Sequence, residues 1–450
     1  MPDGNELTMM LFLQLATVLV ACRAVGLLFR RLGQTQVVAD MVAGFLLGPT
    51  LLGFVFPAIQ DHLFPTAVQP PGGGESITHP SLHVLYVIGQ LGLVLYMFLV
   101  GLAFDNGLLV RHLKESATAS VAGIIAPVAV GGLIGWQLAS GDTFFPDSVA
   151  PWQAALFVAA ALAITAFPML ARIVYEEKLT RTKLGTVAVA CAAADDAAAW
   201  ILLAVVVAAA KGDPQVAVIA VVGSLVYGVF MTTAGRRLLT RLGRWATTTR
   251  NGPPESGLRP EALGLVTVVL LLCAWFTEWT GVYSVFGAFI LGAVMPRGVF
   301  AEELRRRIEP VTVHILLPVF FVYSGLNTDL NVLVDPTVLM VFAVVLVASF
   351  AAKGGACTLA WRATGSSWRD AAALGSLMNA RGLMELILLN VGRAEGLITV
   401  ELYTVLALMT VVTTMSASPL YRRIRRGAPP TTPPEDPSAP KALPEPAIPR

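Results

Sequence analysis

Two adjacent aspartates, Asp195 and Asp196, stand in the run VAVACAAADDAAAWILLAVVV, which otherwise holds only apolar and small residues. A charged side chain at a bilayer centre costs about 3 kcal/mol on insertion scales, so such residues face a cavity or a partner and are functional candidates. Neighbours on a helix point ~100° apart. The pair therefore cannot form one dyad of the aspartic-protease kind. One carboxylate can face a cation pathway while the other faces a different helix; the plainer alternative is a buried ion pair that only fixes packing. Lys353, in VVLVASFAAKGGACTLAW, is the one lysine in the middle of an apolar stretch. Its ammonium needs an acid nearby, and Asp195 or Asp196 can supply it. Charge neutralisation alone would explain that pairing and is compatible with a functional role.

Two apolar runs are interrupted. In LAITAFPMLARIV, Pro168 removes a helix hydrogen bond and Thr165 offers an oxygen beside the break. In LGSLMNARGLMELILLN, the polar Asn379, the charged Arg381 and Gly382 break the run. Broken helices leave carbonyls and helix ends that can hold ions at the midplane. Arg381 and Glu385 are four apart, on one helix face, where an internal salt bridge is the plainer reading. Arg23 and Asp40 also lie in apolar stretches, near the ends, where they can snorkel or pair with each other. Lone prolines kink structural helices as well, so Pro49, Pro127 and Pro318 carry little weight.

Other chemistry is missing. PPGGGES, from Pro70, is glycine-rich but lacks the G-K-[ST] ending of a phosphate loop and reads as a linker. Neither H-E-x-x-H nor G-x-S-x-G occurs, and His62, His79, His83, His112 and His314 have no metal spacing. Cys22, Cys191, Cys273 and Cys357 form no C-x-x-C pair and read as packing residues. No cofactor is expected, and without an ATP site any transport must be passive or driven by an ion gradient.

The elements that position these residues follow from composition. Of 450 residues, 56% are hydrophobic and 13% are charged, about half the charge of a soluble domain. Mean hydropathy is +0.71. This excludes a soluble enzyme, a disordered chain and a nucleic-acid binder, and implies a polytopic helical membrane protein in contact with lipid. Runs long enough to span number about thirteen, near 7–29, 36–56, 81–104, 117–139, 151–174, 184–210, 215–237, 261–279, 281–296, 310–328, 335–361, 370–391 and 399–420. Loop charges test the partition. Arg30, Arg111, Lys178, Arg236, Arg297, Arg362 and Arg422, with their basic neighbours, all fall on one side, whereas Lys211 and Arg393 are the basic residues of the other. By the positive-inside rule the N-terminus is outside and the C-terminus cytoplasmic. An error of one span would scramble this alternation. The first residues carry Asp3 and Glu6 but no Lys or Arg, so they are expected to stay in the mature protein rather than act as a signal peptide. The expected organisation is one membrane domain, residues 1–426, and a Pro-rich cytoplasmic tail, 427–450, too polar to fold. The broken fifth and twelfth spans hold the same place in two halves, spans 1–6 and 8–13, which the seventh joins in opposite orientation.

The run AITAFPMLARIVYEEKLTRTKLGTVAVACAAADDAAAWILLA closely resembles the core signature of monovalent cation:proton antiporters, and so do ADMVAGFLLGPTLLG, LGLVLYMFLVGLAFD, FGAFILGAVMP, LPVFFVYSGLNTDL and MNARGLMELILLN. The resemblance covers roughly residues 10–420 with the segments in family order, and is to the branch of sodium/proton exchangers, potassium/proton exchangers and glutathione-gated potassium efflux systems. It implies an all-α fold of thirteen spans in two inverted repeats with two discontinuous crossing helices, a homodimer, and a core that moves like an elevator against a dimerisation domain. It also implies roles: Asp196 as the main ligand of Na+ or K+ and of the proton, Asp195 paired with Lys353, and Thr165 and Asn379 at the crossing. The nucleotide-binding domain of the efflux systems and the long tail of plant members are not expected here.

The reading is a secondary antiporter, probed against two rivals. A potassium efflux channel would pass current without a proton gradient. An intramembrane aspartyl protease needs two acids on separate helices. The plasma membrane of a bacterium is the expected location.

Overall fold

The computed structural model describes residues 4–31, 34, 36–65, 67–68, 77–103, 113–179, 182–211, 214–247, 259–281 and 283–426. The Pro-rich tail and the PPGGGES segment lie outside the described residues. A helical segment stands at each of the thirteen apolar runs. In chain order the helices are α1 (Gly4–Arg31), α2 (Gln36–Leu47), α3 (Pro57–Leu63), α4 (Pro80–Ala103), α5 (Leu113–Leu138), α6 (Pro151–Ala163), α7 (Phe167–Glu176), α8 (Lys183–Lys211), α9 (Pro214–Phe230) and α10 (Arg236–Thr247). They continue as α11 (Pro260–Trp279), α12 (Ser284–Val294), α13 (Val299–Val311), α14 (Leu317–Leu326), α15 (Pro336–Ser349), α16 (Ala356–Ala363), α17 (Trp368–Leu377), α18 (Leu383–Ala394) and α19 (Val400–Arg425). Among the described residues, 9 helices are long and apolar enough to cross a membrane. The fifth and twelfth runs are each two half-helices, α6 with α7 and α17 with α18. A two-residue antiparallel pairing, Ala67–Val68 with Ile77–Thr78, is the only β structure among the described residues.

Some boundaries differ from those read in the sequence. The tenth run begins as helix at Val299, well before the apolar residues, because Arg305, Arg306 and Arg307 ride on α13 and bond Glu303 and Glu309 one turn away. The seventh continues past residue 237 through α10, whose arginines face outward. Three of the long helices bear wide turns: Met231–Gly235 between α9 and α10, Thr312–Leu316 between α13 and α14, and Phe350–Gly355 between α15 and α16. Such π segments concentrate at functional sites, and the third carries Lys353.

The helices sort into two packed groups. One contains α1, α2, α4, α11, α12 and the α13–α14 rod; the other contains α5, α6, α7, α8, α15–α16, α17, α18 and α19. Thus the first three spans of each half pack together, as do the last three. Close approach in the first group is set by glycine: a Cβ at Gly101 would lie 2.3 Å from the Phe289 carbonyl oxygen, and one at Gly292 would lie 2.2 Å from that of Phe98. Both broken helices and the aspartate pair belong to the second group.

Candidate ion site at the helix crossing

The two broken helices meet at their breaks. α6 ends at Ala163, and Ile164, Thr165 and Ala166 are extended before α7 starts at Phe167. α17 ends at Leu377, and α18 starts at Leu383. The Ala166 amide donates to the Ala380 carbonyl at 3.1 Å, and Thr165 Oγ1 donates to the Met378 carbonyl at 3.1 Å. The breaks thereby satisfy each other's backbone, as a non-helical stretch at membrane depth requires. The break precedes Pro168 rather than falling on it. Pro168 is the second residue of α7, in the first turn, where a missing N–H deprives no helix bond. Gly382, the residue before α18, has φ +155, which side chains other than glycine rarely adopt.

The ends of α6 and α7 are treated in opposite ways. The last carbonyls of a helix lack intrahelical donors and carry the negative end of its dipole. At α6 two cations meet them. Arg381 donates through Nη1 to the Ala161 oxygen at 2.6 Å and through Nη2 to that of Leu162 at 2.7 Å. Lys353 Nζ donates to the Ala163 oxygen at 2.6 Å. Three successive carbonyls are thus bound by side chains from two other helices. At α7 the positive end faces a carboxylate: the Phe167 amide points to Asp196 Oδ1 at 3.5 Å.

The acid pair divides as its ~100° offset demands. Asp195 is 1% exposed, accepts from Lys353 Nζ at Oδ2 (2.6 Å) and from Ser120 Oγ at Oδ1 (2.7 Å). Of the two aspartates that could have taken Lys353, the geometry selects Asp195. Asp196 is 2% exposed, and its Oδ2 is buried with no hydrogen-bond partner. Asn379 is buried at the crossing; its Nδ2 donates to the Gly375 carbonyl at 2.8 Å, while its Oδ1 has no partner. Arg381 and Glu385 form the expected internal salt bridge at 2.8 Å, both fully buried. The bridge is only part of the role of Arg381, which also reaches Ser349 Oγ at 2.9 Å. Thr414 brackets its backbone, accepting from the amide at 2.9 Å and donating to the carbonyl at 3.0 Å.

All residues singled out in the two broken runs, the aspartate pair and Lys353 therefore converge. Arg23 and Asp40 lie elsewhere: Asp40 is buried and accepts from Gln36 Nε2 at 2.7 Å, and Arg23 is exposed. Sequence reasoning missed Ser120, Ser349 and Thr414, which are ordinary small polar residues in apolar helices and carry no local signal.

Chemically, the site holds one neutralised carboxylate and one that is not. A buried carboxylate without a counter-ion is costly. Asp196, with a single weak donor and a free oxygen, is suited to hold a proton or a dehydrated monovalent cation. Hard cations of that kind take oxygen ligands.

Comparison with known proteins agrees with this geometry. The family described as sodium/hydrogen exchanger, transmembrane, matches residues 15–423. The Na(+)/H(+) antiporter NhaS4 of Synechocystis is 38% identical over 425 residues, 94% of this chain and 98% of that protein. The K(+)/H(+) antiporter 1 of Saccharomyces cerevisiae is 29% identical over 94% of this chain and 47% of that protein. The Na(+)/H(+)-K(+) antiporter GerN of Bacillus cereus is 23% identical over 91% of this chain and 95% of that protein. The chain thus spans nearly the whole of the bacterial relatives and about half of the yeast one.

Proposed function

The chain belongs to the sodium/hydrogen exchanger family and is an integral-membrane cation:proton antiporter, not an enzyme, and from that premise we propose that Asp196 is the one site for which cation and proton compete. The observation that carries this reading is the contrast between the two neighbouring acids: Asp195 is held by Lys353 and Ser120, whereas Asp196 Oδ2 has no partner. A buried carboxylate is neutralised by a proton or by a cation, and binding one displaces the other. The Phe167 amide, at the positive end of α7, orients Asp196 in either state. Lys353 and Arg381 neutralise the opposite half-helix end, so the crossing keeps its shape while its occupant changes.

Coupling requires that this occupied site face one side of the membrane at a time. The group holding the crossing moves as a unit against the group of α1, α2, α4 and α11 to α14, which also makes the homodimer contact. The arginine-rich ends lie in the cytoplasm, with the N-terminus outside, the C-terminal tail inside, and the protein in a bacterial plasma membrane. Na+ and K+ are both candidate substrates, since each appears in the names of relatives.

The test is purified protein in liposomes with an imposed pH gradient, given Na+ and then K+. An antiporter dissipates the gradient on addition of its cation. Cation current in the absence of a proton gradient would instead favour a channel.

A further inference from the structure

Away from the crossing, a cavity of about 260 Å³ opens between the start of α8 and the turn joining α16 to α17. Its walls are Thr182, Lys183, Leu184, Trp361, Ser366 and Asp370. We propose that this cavity binds a tetrahedral oxyanion, a phosphate that is either free or the headgroup of a lipid.

Independent features of the wall converge on that chemistry. The first amides of a helix have no intrahelical acceptor, and the macrodipole adds positive potential there, which makes a helix start an anion site when other donors join it. α8 is 29 residues long and begins in this wall. Thr182 caps it, its Oγ1 accepting from the Gly185 amide at 3.0 Å. The two residues between them, Lys183 and Leu184, line the cavity. Trp361, across the cavity, is 2% exposed, and its indole N–H has no hydrogen-bond partner. That group can only donate, so its natural partner is an acceptor such as a phosphate oxygen. The Lys183 ammonium and the Ser366 hydroxyl bring further donors to the same wall.

The one carboxylate in the wall is already engaged. Asp370 Oδ1 accepts from Arg425 Nη1 at 2.6 Å, and its Oδ2 accepts from Ser367 Oγ at 2.8 Å. Its charge is matched by Arg425 and does not oppose an anion. The position matters, because α8 carries Asp195 and Asp196 roughly 18 Å further along, α16 follows the segment that holds Lys353, and α17 runs into the crossing. A bound phosphate braces three elements of the ion site at their shared end. The inference rests on this cavity and not on the competition at Asp196, so either can fail alone.

The experiment is thermal unfolding of the purified full-length protein with inorganic phosphate titrated against chloride at matched ionic strength and pH. A ligand that binds the folded state raises Tm in a saturable way. Wild type is expected to show that rise, Lys183→Glu to lose it, and Trp361→Phe, which keeps the ring but not the N–H, to need more phosphate for the same rise. The unliganded Tm of Trp361→Phe checks that its fold survives. The source is separated in nanodiscs of phosphatidylcholine with or without phosphatidylglycerol. If the lipid headgroup is the ligand, phosphatidylglycerol stabilises wild type but not Lys183→Glu and blocks the effect of phosphate. If free phosphate is the ligand, its effect is the same in both discs. No specific rise in wild type with either ligand, or an undiminished rise in both variants, overturns the proposal.

Discussion

Replacing Lys353 with methionine keeps the length of the side chain and removes its charge. In the native protein the ammonium serves two groups, Asp195 Oδ2 and the Ala163 carbonyl, each at 2.6 Å. Both side chains of the ion pair are fully buried. The substitution leaves Asp195 with Ser120 as its remaining donor, at 2.7 Å. Stranding one charge of a buried pair costs about 3–5 kcal/mol. The carboxyl can instead take a proton. For an acid of ordinary pKa, near 3.9, that costs about 4 kcal/mol at pH 7, at 1.36 kcal/mol per unit. The two routes agree on a loss of about 3–4 kcal/mol. The proton route fixes the sign of the pH dependence. The folded variant holds a proton that the unfolded chain releases, so the deficit grows as pH rises and shrinks by about 1.4 kcal/mol per unit of acidification. The double variant Asp195→Asn with Lys353→Gln removes both charges and should recover stability to within about 1 kcal/mol of wild type. The assay is equilibrium unfolding of the detergent-purified proteins between about pH 5 and pH 8, arranged as a double-mutant cycle. A Lys353→Met protein as stable as wild type at the alkaline end, or a double variant no better than the single one, would refute the reasoning.

Three further outcomes are expected. Reconstituted wild type should respond to an imposed membrane potential, because Lys353 and Asp195 can change protonation together with Asp196, while any residual exchange by the double variant should be electroneutral; a wild type indifferent to the potential removes the electrogenic reading. Gly382→Ala should lose about 1–3 kcal/mol of stability and slow exchange, because φ is +155 and a Cβ would lie 2.9 Å from Met169 Cγ; unfolding and flux measured on one preparation check both. Truncation after Gly427 should leave exchange intact, and a fluorescent reporter fused there should glow only with the C-terminus in the cytoplasm.

How much was legible in the sequence depended on the range of the signal. Hydropathy and loop charge are local and repeat along the chain, so all thirteen segments could be read, and the crossing announced itself through Thr165, Pro168, Asn379 and Gly382 at two breaks in apolar runs. What Lys353 and Arg381 do was only half legible. Their charge demanded partners, yet the partners are carbonyls of Ala161, Leu162 and Ala163, some two hundred residues away, and a carbonyl leaves no mark on residue type. Ser120 and Ser349 were invisible for a related reason, since serine in an apolar helix more often bonds its own backbone. The π segment around Lys353 was illegible too, because FAAKGG is compatible with a regular helix and only the packing widens it. Boundaries failed where α10 and α13 run on as polar helix, since the criterion for a span ends with the apolar residues.

The central claim is that one carboxylate holds the proton or the cation. It is tested most directly by the apparent cation affinity of liposome-reconstituted protein as a function of pH, in wild type and in Asp196→Asn. Competition predicts that the cation concentration for half-maximal exchange rises about tenfold per unit of acidification while Asp196 is mostly protonated, with maximal exchange unchanged, and that Asp196→Asn shows no exchange at any pH although it expresses and folds. A half-maximal concentration that does not move with pH, or exchange that persists in Asp196→Asn, would contradict it.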